Sequence, residues 1–188
     1  MALYKLPGKF LFILLLPLCL AALERQEVNA PFETELLLHK QGFSLGYSHT
    51  YRQALWVSYT LTAEHLQAPQ QKRRDKFKAD PEIKRNAVRP RDYTGTGFDK
   101  GHLAPAADMT YSMQSMNSSF LMSNISPQYP GCNRGIWKRL ETQVRKWALK
   151  EKKIRIITGP VFSGSPAVAG KANIPVPVAF YKVILDLT

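Results

Sequence analysis

The sequence predicts an α+β domain built on a mixed or antiparallel sheet. Short segments rich in aromatic and β-branched residues come first, one strongly periodic helical stretch follows, and apolar strand-like segments return after it. The 188-residue length suits one domain with its own core once a leader is set aside. Only Cys132 remains beyond that leader, so the core must hold the domain without an internal disulfide.

The chain opens on Lys5 and Lys9, an apolar run from Phe10 to Leu20, and the small residues Ala21 and Ala22. This is the charged start, apolar centre and small-residue exit of a secretory signal, and the run is too short to span a bilayer. Residues 1–22 are expected to be a cleaved signal, with an uncleaved anchor as the alternative. The mature protein is then secreted or periplasmic, without stable membrane association. Residues 23–42 read as a leader and residues 43–188 as the domain.

Phe43–Ser48 and Ala54–Leu61 read as strands, with His49–Arg52 as the turn between them. Residues 67–97 form a long polar loop holding nine Lys or Arg residues. It reads either as a solvated basic loop or as a clamp on phosphates; Tyr93–Gly97 leads from it into the most informative motif of the chain. From Asn133 to Lys150 the residues Ile136, Trp137, Leu140, Val144, Trp147 and Ala148 keep a helical period. Ile154–Phe162 reads as a buried strand ending in a turn, and Val178–Leu185 as another.

The net charge is +12, and removing residues 1–22 takes away two lysines and no acidic residue. A small basic domain is attracted to polyanions, although charge alone does not separate a binding surface from a merely soluble one. The chemistry is carried by two blocks. The first is Phe98-Asp99-Lys100-Gly101-His102-Leu103-Ala104-Pro105. The second runs through Ser123-Asn124-Ile125-Ser126-Pro127-Gln128 to Asn133, Trp137, Leu140, Glu141 and Arg145. His102 is the natural base, because an imidazole titrates near neutrality; Gly101 before it is expected to permit a tight turn. Asn133, just before the helix, reads as an N-cap or as an oxygen ligand for a hard cation. Glu141 lies two turns on, within about 80° of the same face of a regular helix, and reads as a holder of waters around that cation or as a partner of Arg145. Arg145 in turn could reach a phosphate oxygen.

These blocks, in order and at this spacing, resemble the D-R-G-H-x-A-P, S-N-x-x-P-Q and N-x-x-x-W-x-x-L-E-x-x-x-R motifs of the DNA/RNA non-specific endonucleases. That is the ββα-metal (His-Me finger) group, which takes in secreted sugar-non-specific nucleases and endonuclease G. The resemblance covers roughly Gly46 to Leu185. It implies a ββα-metal fold with a metal-bearing helix and hydrolysis of DNA and RNA with little sequence specificity, leaving 5′-phosphates. It also implies that His102 activates water, that Asn133 is the direct ligand of a magnesium ion (manganese being the alternative), that Glu141 fixes metal-bound waters and that Arg145 steadies the transition state. Asn124 matches a family asparagine near the active site and is expected to orient rather than ligate. Lys100 stands where the family has arginine, keeping the charge without the planar fork. Arg74 is the best match to a family arginine in the basic loop, with Arg73 close behind; separately, on charge alone, Arg134, Lys138 and Arg139 are read as helix-borne cations expected to track a phosphate backbone, in which case affinity falls steeply with salt. The family usually continues past the strand at which this sequence stops, so a truncated or shortened member is expected. The rival reading is a nucleic-acid-binding protein of the same fold that has lost turnover. A third is a phosphodiesterase for small molecules or lipids, which the broad basic charge disfavours.

Overall fold

The computed structural model describes residues 11–12, 32 and 34–188. The signal expected over residues 1–22 therefore lies almost wholly outside the described residues. Within it, only the backbone of the two-residue strand β1 (Leu11–Phe12) is placed, antiparallel to the last strand.

The frame is a six-stranded antiparallel sheet. Its strands are β1, β2 (Leu36–Lys40), β3 (Phe43–Ser48), β4 (Gln53–Thr62), β7 (Lys153–Val161) and β10 (Ala179–Asp186), in the spatial order β1-β10-β7-β4-β3-β2. The four strands expected from aromatic and β-branched content are present. Strand β2 was not expected; it falls inside the residues read as a leader and pairs along its length with β3. Gly46 sits where a Cβ would lie 2.3 Å from Trp56 Nε1, so the glycine lets the fully buried Trp56 cross that strand pair.

Two layers meet on this sheet. Leu45, Tyr47, Val57, Tyr59, Leu61, Ile154 and Ile156 pack with Val144 and Ala148 of helix α3 (Lys138–Glu151) in the main core. Burying these side chains supplies the hydrophobic drive that a short helix lacks by itself. A second core of Val88, Tyr93, Met122, Ile125, Ile174 and Val176 lies under the basic loop. Its apolar residues are irregularly spaced in sequence, which is why the loop reads as merely polar until it is seen folded.

The loop is pinned rather than solvated along its whole length. Lys40 Nζ, on β2, lies 2.7 Å from Asp80, and Asp80 also accepts a 2.5 Å hydrogen bond from Ser123 Oγ. The backbone of Lys78 is clasped by Phe120 and Met122, with hydrogen bonds of 3.2 and 2.9 Å. Two further short helices complete the chain: α1 (Ala63–Gln67), capped by Thr62, and α2 (Met113–Ser119), capped by Ser112. A two-stranded ribbon, β8 (Val168–Ala169) with β9 (Ile174–Pro175), closes the second core.

Candidate active site

A small antiparallel hairpin, β5 (Asp99–His102) with β6 (Ile125–Gln128), carries the two sequence motifs side by side. The register pairs His102 with Ile125 and Asp99 with Gln128. Gly101 is an extended strand residue here, not a turn. Its Cβ would lie 2.2 Å from the Gln128 side chain, so the glycine is required by close approach across the hairpin.

His102 is walled by aromatic rings. The Phe77 ring centroid is 5.4 Å from its own and the Phe120 centroid 5.0 Å, the latter edge-on. Nε2 is buried with no hydrogen-bond partner among the described residues. Burial pushes the ring down to about 4, the Arg73 charge pushes the same way, and Asp75 opposes both. The imidazole is therefore neutral at neutral pH, with a free nitrogen. Arg73 lies with its guanidinium carbon 5.6 Å from the Phe120 centroid and donates to Asp75 at 2.7 Å. Its charge is felt at both His102 and Glu141. Arg74 is exposed, and its described contact is a backbone carbonyl accepting from Lys76.

Asn124 is fully buried and uses both ends of its amide. Oδ1 accepts from the Ala104 N–H at 2.9 Å, while Nδ2 donates to the carbonyls of Ala104 at 2.9 Å and Ser119 at 2.8 Å. It staples the chain just after His102 and has no group left for a ligand. Lys100 Nζ lies 5.4 Å from the Phe77 centroid and 6.0 Å from that of Tyr93. An ammonium over ring faces is a weak attachment.

At the other end of the hairpin, Asp99 gathers two residues. Asn133 Nδ2 donates to it at 2.9 Å, and Arg134 forks onto both carboxylate oxygens at 2.8 and 2.6 Å. These donors hold the Asp99 carboxyl below its ordinary range. Asn133 is not an N-cap. No side chain caps this turn, and its own N–H bonds the Tyr129 carbonyl at 2.9 Å. Nor is the helix continuous from Asn133: the wider turn Cys132–Trp137 is broken at Gly135, whose φ of −100° and ψ of −107° are not helical. The angular relation of Asn133 to Glu141 drawn for a regular helix therefore does not apply, and Ile136 turns outward instead of joining the core.

Glu141 and Arg145, on α3, do not pair with each other. Arg145 donates to Asp108 at 2.9 Å, and Asp108 also accepts from Tyr59 Oη at 2.8 Å. No donor among the described residues bonds Glu141. Burial pushes its carboxyl up to about 7, opposed by Lys182, Arg145 and Arg73 and reinforced by Asp108. Asp108 is pushed up by its own burial, with Arg145 opposing. Lys182, on β10, is buried and held down to about 8 by burial, against the pull of Glu141 and Asp108. The sequence reading assigned no role to Asp108 or Lys182. The available signal was a lysine inside an otherwise apolar strand, since lysine is almost never buried without a reason.

The donor set fits a hard, strongly hydrated cation. Asn133 commits Nδ2 to Asp99, which leaves Oδ1 without a hydrogen bond among the described residues. Among the described residues no group of three His, Cys, Asp or Glu forms a cage. One amide oxygen, with a carboxylate to hold waters, is the sparse set that magnesium accepts.

Residues 22–188 match the family described as DNA/RNA non-specific endonuclease. The chain belongs to that family. It is 37% identical over 174 residues to a nuclease of Syncephalastrum racemosum, covering 81% of this chain and 54% of that protein. It is 32% identical over 160 residues to human mitochondrial endonuclease G, covering 79% of this chain and 54% of that protein. Among solved structures, the crystal structure of the EndoG/EndoGI complex aligns with a TM-score of 0.76 at 28% identity, covering 82% of this chain and 69% of the other. The likeness is consistent with the antiparallel sheet and hairpin-plus-helix arrangement seen here. The chain spans about half the length of these two curated relatives.

Proposed function

We propose that this chain hydrolyses phosphodiester bonds of DNA and RNA with little sequence preference, using magnesium (or manganese) and His102 as general base. The observation that carries the reading is the His102 ring: neutral, walled by Phe77 and Phe120, with Nε2 unpartnered. A neutral imidazole can take a proton from an attacking water at whichever ring nitrogen that water reaches.

Asn133 would hold the cation through Oδ1, kept in place by its bond to Asp99. Glu141, when ionised, accepts hydrogen bonds from waters of the hydrated ion. When bound, the metal supplies positive charge to the scissile phosphate and the leaving oxygen. Arg73, whose charge is felt at both His102 and Glu141, would meet a non-bridging phosphate oxygen. Arg145, tied to Asp108, shapes the field at the same place. Asn124 fixes the backbone that carries His102. Arg134 is spent on Asp99 and contributes to substrate through charge rather than through a free fork. Nothing in this set reads a base edge, so contacts to phosphate position the strand without selecting sequence.

Export is proposed on the apolar run alone, with residues 1–22 as signal and 43–188 as the catalytic domain. Among the described residues no helix is long and apolar enough to cross a membrane. N-terminal sequencing of the protein recovered from its host tests this; a start near residue 23 supports it, and an intact Met1 opposes it.

Digestion of supercoiled plasmid and of RNA tests the activity. Both are cut in magnesium and spared in chelator. Affinity falls steeply with salt, as it does for a surface that neutralises several phosphates. Tight binding of DNA with no cutting under any divalent ion would instead establish a binding protein that has lost turnover.

A further inference from the structure

Tyr129 is the most exposed aromatic side chain among the described residues, with 62% of its surface open to solvent. An exposed ring by itself needs no explanation. This one follows Gln128 at the Asp99 end of the hairpin, and three features fix it there. Its carbonyl accepts the N–H groups of Cys132 and Asn133, both at 2.9 Å, so its backbone is tied to the proposed cation ligand. Pro130 comes next, which disfavours helical backbone at Tyr129 and narrows the directions the ring can take. The ring meets that of Phe98 at 4.8 Å between centroids, tilted by 58°. Phe98 packs on the second core and leads directly into Asp99, the carboxylate that holds Asn133 and Arg134.

Phe98 braces one side of the Tyr129 ring and leaves a face open. There is room beside the pair. A Cβ added to Gly97, just before Phe98, or to Gly131, two residues after Tyr129, would meet nothing beyond its own chain neighbours within 4 Å. Positive charge is at hand, because Arg134 keeps its side chain 72% exposed while it holds Asp99. A braced, open aromatic face next to a cation and a proposed metal ligand suits a flat apolar group joined to a phosphate. A nucleotide is such a group. Every base has a π face, so stacking on a ring is tolerant of sequence. In a duplex the bases already stack on one another, and the ring can take only a base that has left the helix.

We propose that Tyr129, braced by Phe98, is a stacking platform for one unpaired nucleobase of the strand whose phosphate lies at the Asn133 site. The platform favours single strands and frayed ends over intact duplex without reading a base. The proposal rests on the nuclease reading for the phosphate, but the stacking can be measured apart from cleavage.

The test is fluorescence anisotropy in chelator with two labelled dodecamers: dodecathymidylate, and an abasic strand with the same phosphates and no bases. The parent binds dodecathymidylate about tenfold more tightly than the abasic strand, as one stacked base allows. Tyr129→Ala brings the two affinities together by weakening only the first. Tyr129→Leu keeps an apolar side chain against Phe98 but offers no flat face, and it behaves like Tyr129→Ala. Tyr129→Trp keeps the preference. In magnesium, Tyr129→Ala also lowers the ratio of kcat/KM on single-stranded to duplex oligonucleotide by about tenfold. If Tyr129→Ala does not fold, Tyr129→Leu carries both comparisons. A preference that survives in these two variants, equal weakening of both dodecamers, or a parent that does not distinguish them overturns the proposal. Unchanged oligonucleotide binding with loss of a dimer on size-exclusion chromatography overturns it too, and assigns the ring to a contact between copies. If the parent prefers dodecathymidylate as expected but cuts nothing, the nuclease reading falls and the platform stands.

Discussion

The two ends of the β5–β6 hairpin are built by opposite means. At the Asp99 end the carboxylate is saturated: Asn133 gives one N–H, Arg134 gives two, and Asp99 accepts all three, while the Gln128 amide beside it is buried without a partner among the described residues. At the His102 end the ring is enclosed by Phe77 and Phe120, and its Nε2 is left without a partner. Two residues of extended strand lie between them, and the ends are about 10 Å apart along the chain. One end is arranged to hold something still. The other is arranged to react. A buried polar atom without a partner is costly, and Gln128 shares that state with His102, so what sets the two ends apart is the titratable imidazole at one and the charge-paired carboxylate at the other.

The two ends should therefore fail differently. The largest effect is expected at the reactive end: His102→Ala lowers kcat by roughly a thousandfold, within the range a general base contributes, and leaves the magnesium requirement unchanged. The holding end shows the reverse pattern. Asp99→Ala frees Asn133, and the magnesium concentration for half-maximal rate rises by about 10- to 100-fold, as for loss of a residue that orients a metal ligand, while kcat at saturating metal changes little. A metal titration of initial rates on both variants checks the pair, and a large metal effect in His102→Ala would erase the distinction.

The join between the ends rests on Asn124. Asn124→Ala leaves the Ala104 N–H and two carbonyls unpaired in a dry interior, and urea unfolding should show a loss of about 3 kcal/mol. A loss too small to measure would mean that the chain after His102 is held by something else.

Smaller effects appear in the pH dependence of stability. His102 is held near 4 in the folded protein, below its ordinary 6.5, so between those values the unfolded chain binds more protons and stability rises with pH. Glu141 is held near 7, above its ordinary 4.5, so between those values the folded protein binds more protons and stability falls as pH rises. The two slopes oppose one another from about 4.5 to 6.5. Relative to the parent, the metal-free Glu141→Gln variant gains stability with rising pH up to about 7, and His102→Ala loses it between about 4 and 6.5, each by up to roughly 3 kcal/mol. Urea midpoints at four or five pH values check this, and parallel curves for all three proteins would contradict it.

Much of the frame was legible in the residues. Strands β3, β4, β7 and β10 announce themselves by aromatic and β-branched content, and α3 by the period of Leu140, Val144 and Ala148. The hairpin was legible as two motifs but not as a pairing, because neither motif has an alternating apolar face. The break at Gly135 was hidden by a helical period that runs through it. The partners of the site residues were the least legible. Glu141 and Arg145 lie four apart on one helix, yet Arg145 turns to Asp108. Lys182 comes from the last strand, 41 positions beyond Glu141, and only tertiary packing lets its charge bear on that carboxyl.

Anomalous diffraction from crystals of the protein soaked in manganese addresses the central claim at its source. The account predicts a peak about 2.1 Å from Asn133 Oδ1, with Glu141 reaching it through water and the ion on the side of the His102 ring. A peak held elsewhere, or Asn133 Oδ1 turned away from every site that binds the ion, would contradict it.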